Sequence, residues 1–330
     1  MENRLTERES IAFNCLKAVA IFSVIAAHTV VLSRVNIYSD IISSLWDMFG
    51  RIGVVAFFMI GGFFYSRSPK DGASFWKKKL FRIIIPWLMW SSITYGISIV
   101  VGSPNLGILH YIKWIFGSGS WYYYVTVYLF FLLIFKWFYK NNIILYCLIG
   151  LQIIALGLST ANISTTPPWG FITDYLNPLH WIGYFSAGIL IRRYKLHALL
   201  QRSIWIPIIS AILTIICACL MYFCRINTYF NIATFVFAVC ATICITKVCF
   251  MVSKYKIATI LGVFGASSYC VYLLHLQIVQ FVVNRIPEGM IKTTVSPIIG
   301  LIIMAAFVFV AVIVLNKIPF GKKVKTFIGL

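Results

Sequence analysis

The chain has 330 residues, 61% hydrophobic and only 11% charged, with a formal net charge of +20. Globular proteins average about 45–50% apolar and 25% charged residues, so one soluble domain of this length could not bury so much apolar surface. With a mean hydropathy of +0.92 and no alternation of short strands with polar helix faces, a soluble α/β enzyme is excluded and an all-α integral membrane protein is indicated.

The chain opens on the mixed-charge segment "MENRLTERES". The apolar run after it is too long for a cleavable signal and lacks a small-residue cleavage site. Runs able to cross about 30 Å of hydrocarbon then recur along the whole chain. They predict ten spans, at 11–32, 42–65, 82–101, 121–138, 142–159, 179–192, 204–224, 229–250, 257–283 and 293–316. The sixth is the shortest. The stretch "ILHYIKWIF" (108–116) is too short to span and is expected to lie in the interface. One membrane domain fills residues 1–330, with no appended soluble domain expected.

Cations set the orientation. With both termini cytoplasmic, the inner loops and ends hold 21 of the 28 Lys and Arg and the outer loops hold five, leaving Lys17 and Arg51 inside helices. That is the positive-inside pattern. The charge of +20 therefore follows from topology and from anionic lipid headgroups at the cytosolic face, and requires no nucleic acid.

An ionisable residue at membrane depth points to function, because leaving it in lipid costs several kcal/mol. Lys17 and His28 lie in one predicted helix, eleven residues apart. Eleven residues are close to three turns, so both project from one face, about 16 Å apart along the axis. Taken alone, Lys17 either snorkels to the cytosolic interface or contacts a ligand, and His28 either makes an interhelical hydrogen bond or does chemistry. In the second span, Arg51 falls near the midplane and cannot shed its charge. Asp47, at i−4, is placed to pair with it. That pair either orients the helix or holds substrate.

The entrance of the third span, "FWKKKLFRIIIPW", carries Lys79 and Arg82, either a topogenic lipid-facing patch or a docking site for phosphates. The outer loops are rich in aromatics and Asn/Thr. There Trp121, Trp169 and Asp174 could stack on or hydrogen-bond a sugar, although an aromatic belt is the commoner use of such residues. In the ninth span, "SSYCVYLLHLQ" puts Tyr272 and His275 on one face, with His275 at a depth near that of His28. His197 lies in a basic cytosolic loop and reads as a surface residue. The nine cysteines form no CxxC pair and no Cys/His cluster, so no metal is expected.

The ordered set of Lys17 to His28, "RIGVVAFFMIGGFF", "KKLFRIIIP", "WYYYVTVYLF", "WIGYFSAGILIRR" and "SSYCVYLLH" resembles the acyltransferase-3 family over nearly the full chain. The resemblance implies transfer of an acyl group, usually acetyl from cytosolic acetyl-CoA or another acyl-CoA, onto a hydroxyl of a glycan or other cell-envelope acceptor. It further implies a bacterial cell membrane. The family's basic residue, ten residues and an essential His match Lys17 and His28, with Lys where Arg is commonest. The usual acid before the basic residue is here Asn14, and a common Ser of the second helix is Gly61. The family's basic pair corresponds to Lys79 and Arg82. The implied roles are His28 as base, Arg51 near the developing oxyanion, and Lys17, Lys79 and Arg82 along the CoA. Trp121, Tyr122, Asp174, Tyr272 and His275 would face the acceptor. A homo-oligomer is compatible with the sequence. The alternative is a transporter of a small anionic or sugar-like solute, against which stands the lack of matched broken helices in two halves.

Overall fold

A computed structural model of the protein describes residues 5–30, 36–65, 73–100, 107–167, 170–283, 285–286, 290–318 and 321–330. Arg4, Arg34, Arg67 and Lys70, which enter the orientation argument, and Trp169 lie outside them. The described elements are helices without a strand.

The first helix, α1 (Glu7–Thr29), starts at a capping box in which Thr6 and Glu9 satisfy each other's backbone N–H. Its faces are lined by small and aliphatic residues, among them the buried Ala12, Ala18, Ala20 and Ala26. This lets neighbours crowd it from several sides.

The second expected span is interrupted. α2 (Ile37–Gly50) and α3 (Ile52–Tyr65) meet at Arg51. A break inside an apolar bundle must satisfy its own backbone, since lipid supplies no partners. Ser23 of α1 does so. Its hydroxyl donates to the Phe49 carbonyl (2.6 Å) and accepts from the Gly53 N–H (2.7 Å).

α4 (Ala73–Lys79) runs through a π-helical turn, Leu80–Ile84, into α5 (Ile85–Val100). Pro86 explains the widened turn: it has no N–H to give the Arg82 carbonyl, and its ring would clash there. The basic segment is thus the first part of a helix rather than a loop before it.

After α6 (Ile108–Phe116), a helix as short as expected, come α7 (Tyr123–Phe138) and α8 (Asn142–Thr160). α9 (Ile182–Arg193) begins where the Gln152 side-chain oxygen accepts from the N–H groups of Gly183 (2.6 Å) and Tyr184 (3.1 Å). It packs closely on α3: a Cβ at Gly188 would fall on the Met59 carbonyl, and one at Gly62 on the Phe185 carbonyl.

The short α10 (Leu196–Arg202) precedes the pair α11 (Trp205–Phe223) and α12 (Ile232–Val252). α11 leaves Ile209, Ile212 and Ile215 exposed, as a lipid-facing helix would. The ninth expected span is again two helices, α13 (Lys256–Ala266) and α14 (Ser268–Val283), bent by 65° at Ser267. α15 (Met290–Lys317) and α16 (Gly321–Ile328) complete the chain. The helices α2, α3, α12, α13, α14 and α15 all pack on α1, which is the axis of the bundle.

Seven helices among the described residues are long and apolar enough to cross a membrane, eight if the bent α13–α14 pair counts as one. The fourth and sixth expected spans form as helices of 16 and 12 residues. At 1.5 Å per residue these reach only about 24 and 18 Å, short of the hydrocarbon thickness.

His197 is not the surface residue expected from its basic loop. It is buried, edge-on to the Phe63 ring, with Nε2 3.6 Å from Glu9. Burial pushes its pKa below the ordinary histidine value, while the Glu9 charge pulls the other way.

Two predictions follow from these contacts. Ser23→Ala leaves the Phe49 carbonyl and Gly53 N–H unpaired and should cost about 2 kcal/mol, read as a lower melting midpoint in detergent. A histidine held below its unfolded pKa favours the folded state above that value and penalises it below, so stability should fall as pH drops under about 6.5. His197→Gln should flatten that part of the melting-midpoint profile.

Candidate active site

A cavity of about 930 Å³ lies beside α1 at Lys17. Lys17, Lys79, Arg82 and Tyr272, dispersed over 256 positions of the sequence, all line it. Each reaches it by a different device. Lys17 is held over the Phe64 ring (5.1 Å) and donates to the Asn14 side chain (3.2 Å). Its ammonium therefore faces the cavity and not a remote interface. Asn14 is itself the seat of a close approach, because a Cβ at Gly265 of α13 would fall on its carbonyl.

Arg82 sits in the π turn that Pro86 imposes, next to Lys78 and Lys79 at the end of α4. Lys79 also faces the rings of Phe75 (5.4 Å) and Tyr128 (5.8 Å). Tyr269 ties the two walls, donating from its hydroxyl to the Ile83 carbonyl of that turn (2.8 Å). Among the described residues five cations, Lys17, Lys78, Lys79, Arg82 and Lys325, share the cavity wall, and no Asp or Glu side chain does. Such a wall suits a polyanion.

Sequence reasoning did not single out Tyr124, Tyr128 or Lys325. The i, i+4 spacing of the two tyrosines was the available signal, since it places both on one helix face. Lys325 was hidden in a tail that read only as basic.

The histidines meet at a second place. The rings of His28 and His275 lie 5.0 Å apart, the first exposed and the second fully buried. His275 Nδ1 lies 2.8 Å from the Tyr272 carbonyl. A carbonyl only accepts, so Nδ1 carries the proton, and in the neutral ring Nε2 keeps its lone pair. That Nε2 is buried and unpartnered.

Tyr272 joins the two places. Its ring lines the cavity, stands 5.9 Å from His275, and its hydroxyl donates to the Trp121 carbonyl. Trp121 itself stands edge-on to His275 at 6.5 Å, with its indole N–H unpartnered. Trp121 and His275 thus come together in space.

Other expected site residues are engaged elsewhere. Arg51 is 4% exposed and gripped by Asp47, with Nη2 2.6 Å from one carboxylate oxygen and 2.8 Å from the other, under the Tyr229 ring. Of its two readings, the geometry supports the pair that orients the helix. Tyr122 is fully buried, its hydroxyl donating to the Leu273 carbonyl (3.1 Å) with Thr94 beside it (3.0 Å). Asp174 lies on an exposed loop and accepts from the Thr166 hydroxyl, away from both places. Among the described residues no three His, Cys, Asp or Glu side chains converge as metal ligands would.

Residues 10–317 match the family model described as an acyltransferase domain. No curated protein and no solved structure matches the chain.

The Asp47–Arg51 geometry makes its own prediction. Removing the carboxylate leaves a buried guanidinium uncompensated, so Asp47→Ala should cost about 3 kcal/mol. The double variant Asp47→Leu/Arg51→Met should recover most of that in a denaturation series.

Proposed function

This chain belongs to the acyltransferase-3 family, and from that premise we propose that it is a multi-pass O-acyltransferase of a bacterial cell membrane. It moves an acyl group, acetyl first among the candidates, from cytosolic acyl-CoA to a hydroxyl of an extracytoplasmic or lipid-linked glycan or envelope polymer. One observation carries the reading. Tyr272 lines the cationic cavity, and its ring stands 5.9 Å from that of His275, which in turn lies 5.0 Å from that of His28. A donor with an anionic head and a long uncharged arm ending in a thioester has that same division.

In this reading the phosphates rest against Lys79 and Arg82, and the arm passes Lys17 and the tyrosine-lined wall toward His28. Neutral His28 takes the proton of the acceptor hydroxyl as the oxygen attacks the thioester carbon. The C–O bond forms, the C–S bond breaks, and the proton passes to the departing CoA sulfur. His275, its tautomer set by the Tyr272 carbonyl, backs His28. Trp121 stands where an acceptor hydroxyl would approach. Arg51 enters only through its ion pair, which holds the α2–α3 break in place.

The inner and outer sides follow from the positive-inside distribution, with the cavity's cationic mouth cytosolic and both termini on that side. Ten crossings require the short α7 and α9 to traverse the bundle within thinned or protein-shielded hydrocarbon.

The test uses purified protein with radiolabelled acetyl-CoA and an envelope glycan fraction. Release of free CoA with label in the glycan is expected, and His28→Ala should lower the rate at least about a hundredfold while retaining its melting midpoint. Solute uptake into vesicles without any acyl donor, in place of label transfer, would sink the proposal.

A further inference from the structure

The cavity has a wall that the matched acyltransferase domain does not include. The match ends at residue 317, and α16 runs from Gly321 to Ile328. Lys325, Thr326, Gly329 and Leu330 nonetheless line the cavity beside Lys78, Lys79 and Arg82.

This segment is fixed rather than loosely apposed. Trp90 of α5 donates its indole N–H to the Ile328 carbonyl (3.3 Å). Gly329, with φ +84°, turns the chain onto the Tyr269 ring, and a Cβ there would stand 3.1 Å from that ring. The Leu330 N–H closes back on the Lys325 carbonyl (2.8 Å). Tyr269 is the same residue that holds the π turn carrying Arg82. The Lys325 ammonium is steadied by the Asn316 side chain at the end of α15.

Two separate stretches of chain, one before α5 and one after α15, therefore bring cations to one cavity and are locked through one tyrosine. Among the described residues no acidic side chain in the wall neutralises either. A lysine held at such a place by a neutral amide, with no carboxylate partner among the described residues, is available to an anionic ligand.

We propose that α16 is the second half of a phosphate clamp. Lys325 binds a phosphate of the donor together with the Lys79–Arg82 segment, and so favours phosphorylated thioester carriers over carriers lacking phosphate. This rests on the acyl-CoA reading above and names a binding residue outside the matched domain.

The experiment is equilibrium binding to the full chain in detergent, with CoA and with pantetheine, which keeps the thiol arm and lacks the phosphates. Lys325→Gln should weaken CoA about tenfold, the loss of one charge-assisted contact, and leave pantetheine unchanged. Lys325→Arg should restore most of the CoA affinity. Equal weakening of both ligands would make the residue merely structural and overturn the clamp, as would an unchanged CoA affinity in Lys325→Gln. Wild-type protein that binds no CoA overturns the donor reading and the clamp with it, whereas CoA binding insensitive to Lys325 overturns the clamp alone. A third arm uses phosphatidylglycerol vesicles. If Lys325→Gln weakens vesicle binding and leaves CoA affinity intact, Lys325 serves a lipid headgroup and the proposal fails.

Discussion

A backbone or charged group inside an apolar bundle has to find its partner within the protein, because hydrocarbon offers none. Much of this architecture answers that constraint. Helices are interrupted at Arg51, at the Leu80–Ile84 turn and at Ser267, and a side chain bonds the backbone at each. Ser23 bridges the first and Tyr269 holds a carbonyl of the second. The Ser267 hydroxyl returns to the Val263 carbonyl at the third (3.1 Å). The interruptions are therefore stable features, and the second and third bring charged or titratable residues to the cavity.

α1 is what makes these devices cooperate. Packed by six other helices, it carries Ser23 to the first break and Asn14 to the close contact with α13. Along the same helix Lys17 faces the cavity and His28 meets His275. A shift of α1 by a fraction of a turn would disturb the break, the cavity and the histidine pair together. Close-packed interiors do not deform smoothly, so such a site is held by the whole bundle.

The electrostatics divide in a way that suits the proposed chemistry. Positive charge lines the cavity, without acids among the described residues, while His275 sits near Tyr272 and Trp121 with His28 beside it. The one bidentate buried ion pair described, Asp47–Arg51, is spent on holding a helix break. In the proposed reading, charge for binding and charge for folding are thus carried by different residues, and α16 adds to the first kind from outside the matched domain.

Much was legible from composition and spacing. The membrane class, the helical run of nearly every expected span and the Asp47–Arg51 pair follow from hydropathy, the 3.6-residue period and the i, i+4 rule, all local properties of a helix. So does the placing of Lys17 and His28 on one helix. What only the tertiary structure decided is where helices end and what meets across them. The break at Arg51 depends on Ser23 thirty residues from Gly53, and the bend at Ser267 has no proline to announce it. The burial of His197, the meeting of His28 with His275, and the arrival of Lys325 in the cavity all join residues far apart in the chain. Periodicity ranks the faces of one helix by polarity, but which neighbour a face meets is set by the packing of every helix at once.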